Sequence, residues 1–291
     1  MDLLLLDGPL PSPDRDPVVV VALDGWTDAG RGGTLAAELL RDQWSSRHVG
    51  RFDSDSLYDY RDRRPLLAID EGILGDPEWP SVDVHVVEPP VGPPVVLIEG
   101  AEPDFSWQAL CNDLVELAAE IGATRYIGLG SVPGPVPHTR PVRVTSTSSD
   151  PVVLDRIGRP HERIIVPASC QVVIETALRD AGLTTLGLWA RVPHYVAGEY
   201  PLAAQVLMQR LGDQLGVQLD TASLDDEIAT NRERLDVAAA GSSEITEHIE
   251  QLEQVYDDDL ADDAGLGGGP LPTGDQIAAE LERFLRNQAG E

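Results

Sequence analysis

Apolar runs without alternation recur along the chain: residues 18–23 (VVVVAL), 94–98 (VVLI after two prolines), 125–130 (RYIGLG), 163–166 and 184–190 (TTLGLWA). Such runs read as strands buried on both faces. Between them the apolar positions shift to helical spacing. One predicted helix spans 105–121, starting near Asp104 or Ser106 and stopping at Gly122. Another spans 170–181, from Ser169 to Gly182. Leu202, Val206, Leu211 and Leu215 mark a third, stopped at Gly216. Glycine just past a helix end is the expected stop residue. Buried strands alternating with helices predict an α/β fold: a three-layer α/β/α core with a mostly parallel sheet. Residues 82–87 (VDVHVV) alternate instead, as an edge strand or half of a hairpin would.

The pattern changes near residue 220, giving an expected core of 1–219 and a helical extension of 220–291. The extension holds 19 acids and 4 arginines. Ser223 and Asp226 fit the N-terminal cap of one helix. Ile245, Ile249, Leu252 and Tyr256 stripe a second. Thr273 and Gln276 form a capping box for a third, striped by Ile277, Leu281, Phe284 and Leu285. An acidic, glycine-rich stretch at about 257–273 reads as a flexible linker. The last helix is amphipathic, so its apolar face covers something. Core-side docking, an oligomer contact and a lid over a pocket all fit.

Composition narrows the chemistry. The 291 residues carry 21 basic side chains, all arginine, so there is no lysine for Schiff-base or pyridoxal-phosphate chemistry or for a Walker site. A net charge of −29 disfavours nucleic-acid binding. Cys111 and Cys170 make no disulfide framework, and six scattered histidines make no metal motif, so no metal and no cofactor are expected. No apolar run is long enough to span a bilayer, and "MDLLLLDGPLPSPD" lacks a basic leader, so a cytoplasmic chain is expected.

The stretch after the first long strand, "LDGWTDAGRGG", tests as a phosphate loop and fails. Gly25 and Gly30 have the right spacing, but Arg31 and Gly32 stand where Lys and Ser/Thr belong. What remains is a helix N-terminus beside Arg31 that could hold an anion, or glycines that only let strand and helix pack closely. In parallel sheets ligands bind at the carboxyl ends of strands. Three stretches are expected to converge there: 24–33 with Trp26, Asp28 and Arg31; 128–150 with Gly130, His138, Thr139 and Arg140; and 189–201 with His194 and Tyr195. His138 is the candidate proton carrier and Arg140 the anion clamp; pinning the loop through backbone bonds is the bland alternative for His138. A fourth stretch, 55–65, carries Tyr60, Arg61, Arg63 and Arg64, either as an anion or partner surface or paired with neighbouring aspartates. Cys170 opens a helix, a position that lowers a thiol pKa, although Ser169–Cys170 reads first as a cap.

Four segments in order, "LDGWTDAGRGG", "DYRDRRP", "PHTRPVRVTSTSSD" and "ARVPHYVAGEYPLAAQVLMQRL", resemble the bacterial branch of the proteasome-assembly-chaperone family over roughly residues 18–235. The resemblance implies a core like that of purine nucleoside phosphorylases and peptidyl-tRNA hydrolases. It also implies a hairpin insertion used in oligomerisation, a homotrimer, and a C-terminal helical segment over a ligand pocket. Archaeal-type docking to proteasomes can use a hydrophobic–Tyr–X tail. This chain ends "RNQAGE", so docking by that route is not expected. Two functions follow: a binding or assembly protein acting through self-association, a protein partner or a small ligand, or a hydrolase- or phosphorylase-type enzyme acting on a small anionic substrate.

Overall fold

The computed structural model describes residues 1–157 and 164–263. In chain order the elements are β1 (Leu4–Leu6), β2 (Val18–Asp24), α1 (Gly32–Gln43), β3 (Ser45–Phe52), α2 (Ser54–Leu57), β4 (Ile69–Asp70), β5 (Ile73–Leu74), β6 (Val82–Glu88) and β7 (Val95–Ala101). There follow α3 (Trp107–Glu120), β8 (Arg125–Gly134), β9 (Val144–Ser148), α4 (Pro151–Ile157), α5 (Cys170–Asp180), β10 (Thr184–Pro193), α6 (Pro201–Leu215), α7 (Asp225–Ala240) and α8 (Ser243–Asp263).

Eight strands form one mixed sheet in the order β1-β3-β6-β7-β2-β8-β10-β9. Its centre, β7-β2-β8-β10, is parallel, and antiparallel strands extend it on both sides. The apolar runs of β2, β7, β8 and β10 are central because helices cover both of their faces. Alternate residues of β2 enter two separate cores. Val19, Val21 and Leu23 face the side that holds α3 and α5, while Val18, Val20 and Ala22 face α1 and α6. This is the α/β layering expected.

Several elements differ from the sequence reading. Strand β6 forms a hairpin with β7 but is not an edge, because β3 pairs along its other side. It alternates because Val82, Val84 and Val86 enter the core whereas Asp83 and His85 face polar surroundings. Strand β3 is polar and shows no apolar run in the sequence. Strand β1 is only three residues long, and its segment is tied down where Asp113 on α3 accepts the backbone N–H groups of Asp2, Leu3 and Leu4 at 2.9, 2.7 and 2.7 Å. The apolar stretch at 164–166 forms no strand, and Ile164, Ile165 and Val166 are exposed. Helix α7 follows a short turn at Ala222–Leu224 with no side-chain cap, so Ser223 and Asp226 do not cap it. Residues 257–263, expected as linker, continue α8. The third helix of the extension lies outside the described residues. Among those described, no helix is long and apolar enough to cross a membrane.

Candidate functional site

The chain leaves β2 for strands on one side of it and later returns, with β8, on the other. In an α/β sheet the carboxyl ends of strands on either side of such a reversal, here β2 and β8, are the usual place for a site. The two strands pair only over Val18–Val21 and then splay. Gln171 on α5 fills the gap: its amide oxygen accepts from the Leu23 N–H at 3.0 Å and its amide nitrogen donates to the Leu129 carbonyl at 3.0 Å.

The three predicted stretches converge on this rim. Ser131 N–H donates to the Thr27 carbonyl (2.8 Å), Tyr200 N–H to Gly30 (2.9 Å), and His194 N–H to Gly134 (3.1 Å). Strand β8 continues through Pro133 to Gly134 alongside β10, so the proline-rich stretch is partly ladder. Gly130 is needed for close approach: a Cβ there would lie 2.5 Å from the Trp189 ring and 2.9 Å from the Thr27 carbonyl oxygen.

Asp28 and Arg31 are committed locally. The Asp28 carboxylate sits at the N-terminus of α1. It accepts from Gly33 N–H at 2.6 Å, from the Thr34 hydroxyl, and from Ser131 Oγ at 3.3 Å. Burial raises its pKa, opposed by the Thr34 and Gly33 hydrogen bonds. The anion held at this helix N-terminus is thus the chain's own carboxylate. Arg31 pairs with Glu199 and, at 2.8 Å, with Glu38. Gly33 lets α1 press onto the sheet, since a Cβ there would lie 2.7 Å from the Leu129 carbonyl oxygen.

Helix α5 repeats this arrangement. Glu102, straight after β7, accepts from Cys170 N–H at 2.6 Å and Trp26 N–H at 3.0 Å. The Trp26 side chain is exposed. Ser169 caps α5 as expected, taking the Val172 N–H at 3.3 Å. Cys170 is fully buried, and burial pushes its thiol pKa up, against the lowering expected of a helix N-terminus.

His138, Thr139 and Arg140 are covered by α7 and α8. His138 is buried. Its Nδ1 lies 2.7 Å from Tyr195 Oη and its Nε2 3.1 Å from Asp236 Oδ1 on α7. Its backbone N–H also donates to Tyr195 Oη, at 2.8 Å. Burial raises the Tyr195 pKa, opposed by that backbone bond, so the phenol stays protonated. Thr139 donates to Glu253. Arg140 makes a two-pronged pair with Asp257 at 2.9 and 2.8 Å and meets Glu253 at 3.2 Å. The arginine bond holds the Asp257 pKa below the usual range. His194 Nε2 lies 3.3 Å from His248 Nε2 on α8. Arg143 stacks over Tyr256 with its guanidinium 4.3 Å from the ring centre. The carboxylate partners went unseen because the sequence presents them only as part of an acidic stretch. Asp28 contacts Ser131, while His138 contacts Tyr195 and Asp236; these residues share a rim without forming one relay.

The stretch 55–65 lies beside the rim. Tyr60 donates to Asp55 (2.7 Å) and packs edge-on against Trp79. Arg61 pairs with Asp59 at 3.1 Å and Arg63 reaches Asp24 at 4.0 Å; Arg64 is exposed. The following segment folds into the β4–β5 hairpin, closed by a Leu66–Glu78 bridge. Leu66, Leu67, Ile69, Ile73, Leu74 and Trp79 are all exposed, Ile73 at 74%. Among the described residues, no cluster of three or more His, Cys, Asp or Glu could hold a metal ion.

A family model described as the PAC2 family matches residues 22–239. A Mycobacterium tuberculosis protein of unknown function superposes with a TM-score of 0.80 at 33% identity, covering 88% of this chain and 91% of that one. A PAC2 family protein from Streptomyces avermitilis gives 0.72 at 31% identity, covering 80% and 99%. A proteasome-assembly chaperone homologue from Mycobacterium tuberculosis gives 0.74 at 29% identity, also covering 80% and 99%. No curated protein matches the chain.

Proposed function

The chain belongs to the PAC2 family, and on that premise we propose that it is a homo-oligomeric binding or assembly protein of the cytoplasm. In this reading the β4–β5 hairpin is its protein-contact surface, α7–α8 form a lid over a ligand pocket at the rim, and the oligomer is a trimer. The observation that carries the reading is the hairpin. Six large apolar side chains stand in solvent on a two-stranded ribbon of a protein with net charge −29. An isolated ribbon is marginal in water, and large apolar side chains exposed together on one short segment mark an interaction site.

The rim supports binding over catalysis. The N-termini of α1 and α5 are occupied by Asp28 and Glu102, and Arg140 is occupied by Asp257 and Glu253. A phosphate or carboxylate substrate would have to displace groups already in place. The second reading, an enzyme acting on a small anionic substrate, is favoured by one observation: His138 sits between a phenol and a carboxylate, as a general base would. It requires α7–α8 to move aside, which would free Nε2 and Arg140 together.

The test is capture from cell extract with the full chain and with Ile73→Asp/Leu74→Asp as bait. The binding reading expects defined protein partners, with proteasome subunits one class to look for, retained by the parent and lost by the variant. Equal capture by both removes the hairpin from the account. Turnover of a phosphorylated or acylated small substrate that is abolished by His138→Gln would establish the enzyme instead.

A further inference from the structure

A second recess lies away from the rim, between α5, the edge strand β9 and its neighbour β10. Its volume is about 230 Å3, several times the ~30 Å3 share of one water. Glu175, Thr147, Thr185, Ser148, Ser149 and Arg179 are among the residues that line it. Gly187 leaves room for the two side chains that meet here, since a Cβ there would lie 2.3 Å from Thr147 Oγ1 and 2.7 Å from Glu175 Oε2.

The polar inventory of this recess does not close. Glu175 is 8% exposed and forms no ion pair among the described residues. Arg179, one turn along the same helix, is turned onto Asp180 at 2.7 and 2.9 Å. Glu175 Oε2 accepts one hydrogen bond, from the Thr147 hydroxyl at 3.0 Å. That hydroxyl is fixed as a donor by Trp189 Nε1, which donates to its oxygen at 3.1 Å. The buried Thr185 hydroxyl lies beside the same carboxyl and favours its charged form, but makes no hydrogen bond of full geometry. A carboxylate this deep ordinarily has a cation or several hydrogen bonds.

We propose that this recess binds a small primary amine, whose ammonium group pairs with Glu175 and donates to the Thr185 and Thr147 oxygens. Three ammonium hydrogens match one carboxylate and two hydroxyl acceptors. A neutral polyol leaves the carboxylate unpaired, an anion is repelled by it, and a single carboxylate is a poor divalent-metal set. Burial also raises the Glu175 pKa, opposed by Thr147, Arg179 and Thr185.

Titration of the full-length protein with methylamine, ethanolamine and putrescine near pH 7.5 tests this, read by calorimetry and ligand-observed NMR, with ethanol and acetate as controls. The expected result is saturable binding of an amine, one per chain, and none of ethanol or acetate. Affinity should fall at least tenfold in Glu175→Gln, several-fold in Thr185→Val, and beyond detection in Gly187→Ala. Glu175→Gln keeps the side-chain shape, so it remains informative if Gly187→Ala does not fold. Absence of amine binding, equal binding of ethanol, or undiminished binding by a folded Glu175→Gln protein would each overturn the proposal.

Discussion

Asp28 and Glu175 are both buried carboxyls whose pKa burial raises, and they differ in what answers the charge. Asp28 is satisfied by Gly33, Thr34 and Ser131. Replacing it with alanine should destabilise the fold by about 1–3 kcal/mol, through loss of the α1 cap and exposure of unsatisfied N–H groups in a buried place. Chemical denaturation checks this, and a loss under about 0.5 kcal/mol would show that the cap is dispensable. Glu175 is under-satisfied. A carboxyl with a raised folded-state pKa binds its proton more tightly when folded, so stability falls as pH rises from the unfolded value of 4.5 towards the folded one. Without amine, Glu175→Gln should be more stable than the parent at pH 7.5 and should flatten that decline. Denaturation between pH 4.5 and 8 reads it, and a destabilised Gln variant with an unchanged pH slope would contradict it. Neither role was visible in sequence. Asp28 was recognised as a rim residue, but its engagement with the helix N–H groups depends on the turn at Arg31, a non-glycine residue at φ 55°. Glu175 looked like any polar position of an amphipathic helix, because Gly187, which makes room for it, lies on a different strand.

At the scale of elements, α7–α8 are held over the rim by charge and hydrogen bonds as well as by buried apolar side chains. Arg140 meets Asp257 and Glu253, Arg143 meets Asp259 at 3.2 Å, and His138 meets Asp236. Exposed pairs of this kind contribute modestly and are screened by salt. Arg140→Ala should therefore speed amide exchange in 243–263 while leaving exchange in β2, β7 and β8 unchanged, and raised salt should do the same in the parent. Because Asp257 titrates below its usual 3.8, its share of the docking persists above that value and is lost as pH falls through the lowered pKa. Equal exchange in parent and variant would show that Ile249, Leu252 and Tyr256, all buried, suffice to hold α8. These three apolar positions were legible from their helical spacing. Their destination was not, since an acidic stripe carries no mark of which arginine it will meet.

For the whole molecule, the layered core was readable because β2, β7, β8 and β10 are covered on both faces and show it as continuous apolar runs. Strands β1, β3 and β9 are not legible this way, since short or polar strands leave no such run, and pairing with distant partners sets their course. The residues that converge at the rim were found through the rule that sites gather where strands end. The hairpin at 66–79 was expected from family resemblance but was not located, because its apolar residues spread across a loop rather than alternating. In the function proposed above, this hairpin puts apolar side chains in contact with another protein, first of all with further copies of this acidic chain. Native mass spectrometry of the purified protein beside Ile73→Asp/Leu74→Asp tests that most directly. The expected result is a parent mass of about three times the 31.4 kDa protomer and a folded, monomeric variant. A parent that is monomeric, or a variant that assembles as the parent does, would contradict it.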